Sequence, residues 1–101
     1  MLTPEQIWQI CKRKHYSTAY ADYWESHRVC EAGCRRGSSP PHHIRTRGAG
    51  GDDAAVNLLA LCVEDHNYIH AMGAKRFVTR YPHLAGKIVS ALGRSKVPKG
   101  T

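Results

Sequence analysis

Apolar positions in TPEQIWQICKRK recur at helical spacing, with Ile7, Ile10 and Cys11 on one face, the pattern of an amphipathic helix. Its start is marked as well. Thr3 can cap the first turn, Pro4 suits that turn, and Gln6 stands three residues after Thr3, the capping-box spacing. Tyr20, Tyr23, Trp24 and His27 repeat the helical period and predict a second helix from Thr18 to Ser26. Aromatics so arranged build core rather than a base-stacking surface. Cys11 is a small core residue on this reading, and His27 a surface or capping residue.

From Val29 to Gly51 the period vanishes, and Gly33, Gly37, Pro40, Pro41, Gly48, Gly50 and Gly51 mark turns and loops. Within that stretch HHI is long enough only for a brief strand. NLLALC, residues 57 to 62, is a compact apolar run that predicts a second, buried strand. A helix from Asp65 to Ala71 should end near Gly73. Two further short helices, Gly73 to Arg80 and Pro82 to Leu92, follow around a Tyr-Pro break, with Phe77, Leu84, Ile88, Val89 and Leu92 as apolar contacts. The basic tail, 94–101, lacks core residues. No internal repeat or low-complexity block interrupts the chain. The pattern therefore predicts one α+β domain over 1–101: a core at 28–72 made of a two-stranded antiparallel hairpin and a helix, N-terminal helices at 4–27 and C-terminal helices at 73–93.

Charge adds a partner class. Fifteen Lys and Arg against eight Asp and Glu leave a net charge of +7, which suits a polyanion. The basic residues are spread over several segments, not lined along one amphipathic helix, which disfavours an anionic membrane. No run is long or apolar enough to cross a bilayer, and the N-terminus lacks the apolar stretch of a secretory signal. A cytoplasmic location is expected, where four cysteines would stay reduced and serve as metal ligands or core residues.

Histidine spacing brings in chemistry. His66 and His70 stand at i and i+4 of the expected helix, so both imidazoles leave one face. They follow a strand, a glycine loop and the dipeptide His42-His43. The stretch from CEAGC through PPHHIRTRGAGGDDAAVNLLALCVEDHNYIH resembles the HNH endonucleases of the ββα-metal fold, with His43, Asn57 and His66 at the name-giving positions. Thirteen residues separate His43 from Asn57, eight separate Asn57 from His66, and three separate His66 from His70. The resemblance covers residues 30–71.

The resemblance implies roles for individual residues. His42, His66 and His70 would be metal ligands, His43 the general base, and Asn57 a residue hydrogen-bonding near the base to fix its orientation. A phosphodiester needs an activated water, stabilisation of charge on phosphorus and help for the departing oxygen; a cation supplies the last two and a neutral imidazole the first. Imidazole ligands favour manganese, with zinc, nickel, cobalt or magnesium as other candidates. One geometric tension is visible beforehand. Neighbours on a regular strand point to opposite faces, so the strand must twist or end at His42-His43 if both are to address one site.

Many relatives carry two cysteine pairs that bind a structural zinc. Here Cys30 and Cys34 form the first pair, while Cys62 has Asp65 where its partner would be. A Cys30, Cys34, Cys62, Asp65 zinc site is chemically sound; decayed thiols packing as small apolar groups are the alternative. Arg45 and Arg47 follow the base and Arg35 and Arg36 lie in the preceding turn, where guanidinium groups can pair with DNA phosphates or simply be solvated. Lys75, Arg76 and Arg80 would extend that footprint. Asp52 and Asp53 read as a turn leading into the strand. The expected function is a metal-dependent DNA endonuclease of low sequence specificity, acting as a monomer or weak dimer and nicking one strand per site. Its rivals are a non-catalytic nucleic-acid-binding zinc-ribbon module and a structure-selective or RNA-directed nuclease.

Overall fold

The computed structural model of the chain describes residues 2–93; the basic tail expected at 94–101 lies outside the described residues. Among the described residues, four α-helices surround a two-stranded antiparallel hairpin. Helix α1 (Pro4–Arg13) begins with the expected capping box, Thr3 accepting from the Gln6 amide and Gln6 from the Thr3 amide. Helix α2 (Thr18–Ser26) is capped by Ser17 and ends at His27, whose ring stacks on Tyr23. Ile7, Cys11, Tyr20, Ala21, Tyr23 and Trp24 of this helical pair are buried.

Strand β1 (His42–His43) pairs with β2 (Leu58–Leu59), His42 opposite Leu59 and His43 opposite Leu58. Ladder-like bonding runs beyond the two formal residues, since Ala60 O accepts from Glu31 N and Leu61 O from Ser39 N, each at 2.7 Å. Every residue from Asn57 to Cys62 is buried. The reason is position: β2 lies between two cores. Leu58 and Ala60 pack with α1 and α2, whereas Leu59, Leu61 and Cys62 join Ile44, Ile69, Phe77, Leu84 and Ile88 on the other side. Alternate side chains of a strand face opposite ways, so a segment covered on both faces reads as an unbroken apolar run.

Helix α3 (Val63–Arg80) starts two residues before the expected Asp65, because Cys62 caps it by accepting from the Asp65 amide. Gly73, at φ 86° and ψ 162°, interrupts it where the sequence reading placed a helix end. A 3₁₀ turn over Pro82–Leu84 leads to α4 (Ala85–Gly93), which packs Ile88 and Ala91 into the second core. Among the described residues no helix is long and apolar enough to cross a membrane.

The loop between the strands is tied at both ends. Thr46 caps a 3₁₀ turn (Arg47–Ala49), and Gly51 N donates to Thr46 O at 2.8 Å. Asn57 closes the loop from within: its Oδ1 accepts from Arg45 N at 2.8 Å, and its Nδ2 donates to Arg45 O at 3.0 Å and to Asp52 O at 2.8 Å.

Candidate metal centre and its surroundings

His42, His66 and His70 come together from two elements. β1 contributes the first and one face of α3 the other two, with ring centroids 5.2, 4.9 and 4.8 Å apart and ligand nitrogens within 4.8 Å of one another. His42 is 8% exposed, and burial, then the neighbouring His66, His70 and His43 rings, push its pKa down to about 3. Burial and His70 lower His66 in the same direction. Both rings are thereby kept neutral, with a lone pair to offer a cation. A hydrogen-bond relay fixes which nitrogen of His66 offers it. Ser39 Oγ donates to Leu61 O at 2.8 Å and so faces His66 Nδ1, 3.2 Å away, as an acceptor. The His66 proton then sits on Nδ1 and the lone pair on Nε2. Three imidazoles so placed fit a divalent transition ion.

His43 lines the same cleft of about 340 Å³, together with Tyr16, Tyr20, Thr46, Arg47 and the three other imidazoles. The ladder continues past His43, with Ile44 N donating to Asn57 O at 2.9 Å, and the two rings keep the alternation of a strand: His42 turns to His66 and His70 of α3, His43 to Tyr20 and Asp53, and both border the one cleft. His43 Nε2 is 2.7 Å from Asp53 Oδ1. Its ring lies nearly parallel to Tyr20, centroids 5.3 Å apart, and Tyr20 stacks in turn on Tyr16 at 4.0 Å. Tyr20 OH donates to Pro41 O at 2.7 Å, anchoring the stack to the main chain just before His42.

Burial would raise the Asp53 carboxyl, but hydrogen bonds from His43 and from the Ser17 amide, 3.1 Å from Oδ2, outweigh that and hold it below the ordinary carboxylate range. Asp53 is thus more than the turn residue expected from sequence. Asn57 acts at one remove from His43, through the Arg45 and Asp52 backbone on either side of the loop.

A second cluster joins the turn after α2 to the start of α3. Cys30 Sγ and Cys62 Sγ each lie 3.3 Å from Asp65 Oδ2, Cys34 Sγ lies 3.5 Å from Cys62 Sγ, and the four ligand atoms are all within 4.8 Å of one another. The two residues that depart from a four-cysteine pattern, Cys34 with three residues between it and its partner and Asp65 for cysteine, therefore still converge. Tyr81 OH donates to Asp65 Oδ1 at 2.7 Å, turning Oδ2 toward the thiols. Burial pushes the Cys30 thiol up to about 12 and raises Cys62 as well. A divalent cation would reverse that preference by binding thiolate, so the donor set suits a metal ion as it stands.

Of the four arginines singled out by sequence, Arg47 lines the cleft, its guanidinium 5.4 Å from the centre of the Tyr16 ring. Arg45 is half-buried in the loop that Asn57 secures. Arg35 and Arg36 are exposed in the cysteine turn, Arg35 at a positive φ of 64° and Arg36 paired with Glu64. From sequence alone, Tyr16, Ser39 and Tyr81 carry no role at the site, Tyr20 reads only as core and Asp53 only as a turn. Asp53, an acid just past the GG, and Ser39, three residues before His42, lie near the motif, but nothing local distinguishes Asp53 from Asp52 or Ser39 from Ser38. Compared with known proteins, the chain matches no family model, no curated protein and no solved structure.

Proposed function

We propose that the chain is a metal-dependent DNA endonuclease of the HNH, ββα-metal type, with His42, His66 and His70 as ligands and His43 as general base. The observation that carries this reading is the meeting of three ligand-type imidazoles with a fourth that is hydrogen-bonded to a carboxylate and lines the same cleft. A divalent ion bound there supplies charge stabilisation at the phosphate and the departing 3′ oxygen. His42 and His66 present neutral nitrogens, and Ser39 orients His66. His43 takes a proton from the attacking water. Arg47, at the rim beside Tyr16, pairs with a flanking phosphate. Imidazole ligands favour manganese over magnesium, and by analogy with the family the products carry a 5′ phosphate and a 3′ hydroxyl. Structural zinc at Cys30, Cys34, Cys62 and Asp65 belongs to the same proposal.

Convergence of that cysteine cluster also favours the rival reading, a silent zinc-ribbon module that binds nucleic acid. Supercoiled plasmid separates the two. With manganese the wild type should yield open circles, chelator should stop it, and His43→Ala should lower turnover by roughly 10²- to 10⁴-fold. Nicking by His43→Ala at the wild-type rate would remove the assigned base; plasmid bound but never nicked would favour the module.

A further inference from the structure

The carboxylate at 53 touches both the candidate base and a segment outside the stretch that resembles the family. Its side chain is 16% exposed, and both oxygens are engaged: Oδ1 with His43 Nε2 at 2.7 Å, Oδ2 with the amide of Ser17 at 3.1 Å. Ser17 caps α2, and Tyr20 in the first turn of that helix covers the face of the His43 ring. The ring is held by one edge and one face.

We propose that Asp53 is the positioning residue for His43: clamped between the Ser17 amide and Nε2, it keeps the imidazole proton on Nε2 and the lone pair on Nδ1. The inference rests on the nuclease reading for its catalytic consequence, but its chemical content is separate. A neutral imidazole has one N–H and one lone pair. A carboxylate only accepts, so the nitrogen facing Asp53 must be the donor and Nδ1 must be the base. The Ser17 amide makes the arrangement one-way. An asparagine at 53 would have to give its oxygen to Ser17 N–H, which leaves its NH₂ facing Nε2. That nitrogen would then have to accept, and the proton would move to Nδ1, where the lone pair is needed. The trypsin triad shows the same logic, in which the wrong imidazole tautomer abolishes most of the rate.

The test is ¹⁵N-histidine NMR of the metal-free protein beside plasmid kinetics with manganese. Wild type should show His43 as the Nε2–H tautomer with a downfield, slowly exchanging ring proton, which makes the proposal testable without any variant. Asp53→Asn should show the Nδ1–H tautomer, and Asp53→Glu, which restores an acceptor, should resemble wild type. Turnover of Asp53→Asn should fall on the order of 10²-fold or more at unchanged KM, with most of it regained in Asp53→Glu. A wild-type His43 with its proton on Nδ1, or Asp53→Asn cleaving at the wild-type turnover, would overturn the proposal. If wild type never nicks plasmid while the tautomer inverts in Asp53→Asn, the nuclease reading fails and the hold of Asp53 on His43 stands.

Discussion

His42 carries a strong electrostatic signature. Its pKa is depressed to about 3 by burial and by the neighbouring His66, His70 and His43 rings, while in the unfolded chain it would titrate near its reference value, about 6.5. The unfolded state then binds more protons between those limits, so the metal-free protein should lose stability as pH falls from roughly 6.5 toward 3. His66, lowered in the same direction, adds to the slope. Asp53 and Asp65, held below the carboxylate range, contribute their loss only at the acid end of that window. Urea unfolding at successive pH values should show a shallower decline for His42→Gln than for wild type, and an unchanged slope would contradict the burial argument. His66 and His70 were legible in sequence as a pair because i, i+4 spacing on a helix is local information, whereas His42 was joined to them only by the resemblance. Asp53 was not, since its partners lie 10 and 36 residues away and depend on how α2 docks.

The inter-strand loop shows how one element enforces the site. A Cβ on Gly51 would lie 1.7 Å from the Arg45 carbonyl oxygen and 2.9 Å from Asn57 Nδ2, so the second glycine of the GG serves close approach of two backbones. Gly51→Ala should destabilise the protein on the order of 3 kcal/mol, read by urea unfolding, and should displace the segment that carries Asp53. A stability equal to wild type would mean that the loop has another packing available. This explains why GG and Asn57 accompany each other: the amide of Asn57 grips Arg45 and Asp52, and the glycine lets the chain pass beside that grip. The helices were largely readable from period and caps. The start of α3 was not, because its cap is Cys62, a thiol better known as a ligand or core residue than as a helix cap.

At the scale of the whole molecule, the cysteine cluster bridges the turn after α2 to α3, and Tyr81 ties it to the far end of α3. A chain of this size has a thin core, so a bound structural ion should contribute heavily to its stability. We expect stoichiometric zinc to survive in a His66→Ala, His70→Ala protein by elemental analysis, and its removal by chelator to lower the melting temperature on the order of 20 °C. A zinc-free double variant melting like wild type would assign the thiols to packing alone. Sequence pattern found the apolar run at 57–62 but not its division between two cores, because a run apolar throughout carries no alternation to say which residue faces which way.

That division bears on where the protein could be cut. Every residue assigned to ligation or proton transfer falls between 30 and 70, yet Leu58 and Ala60 are roofed by the first two helices, and the Ser17 amide reaches in to Asp53. A fragment trimmed to 30–70 would expose one flank of its central ribbon to water and release Asp53 from the Ser17 amide. The candidate site is compact in sequence, but the smallest piece able to hold its geometry extends well beyond it.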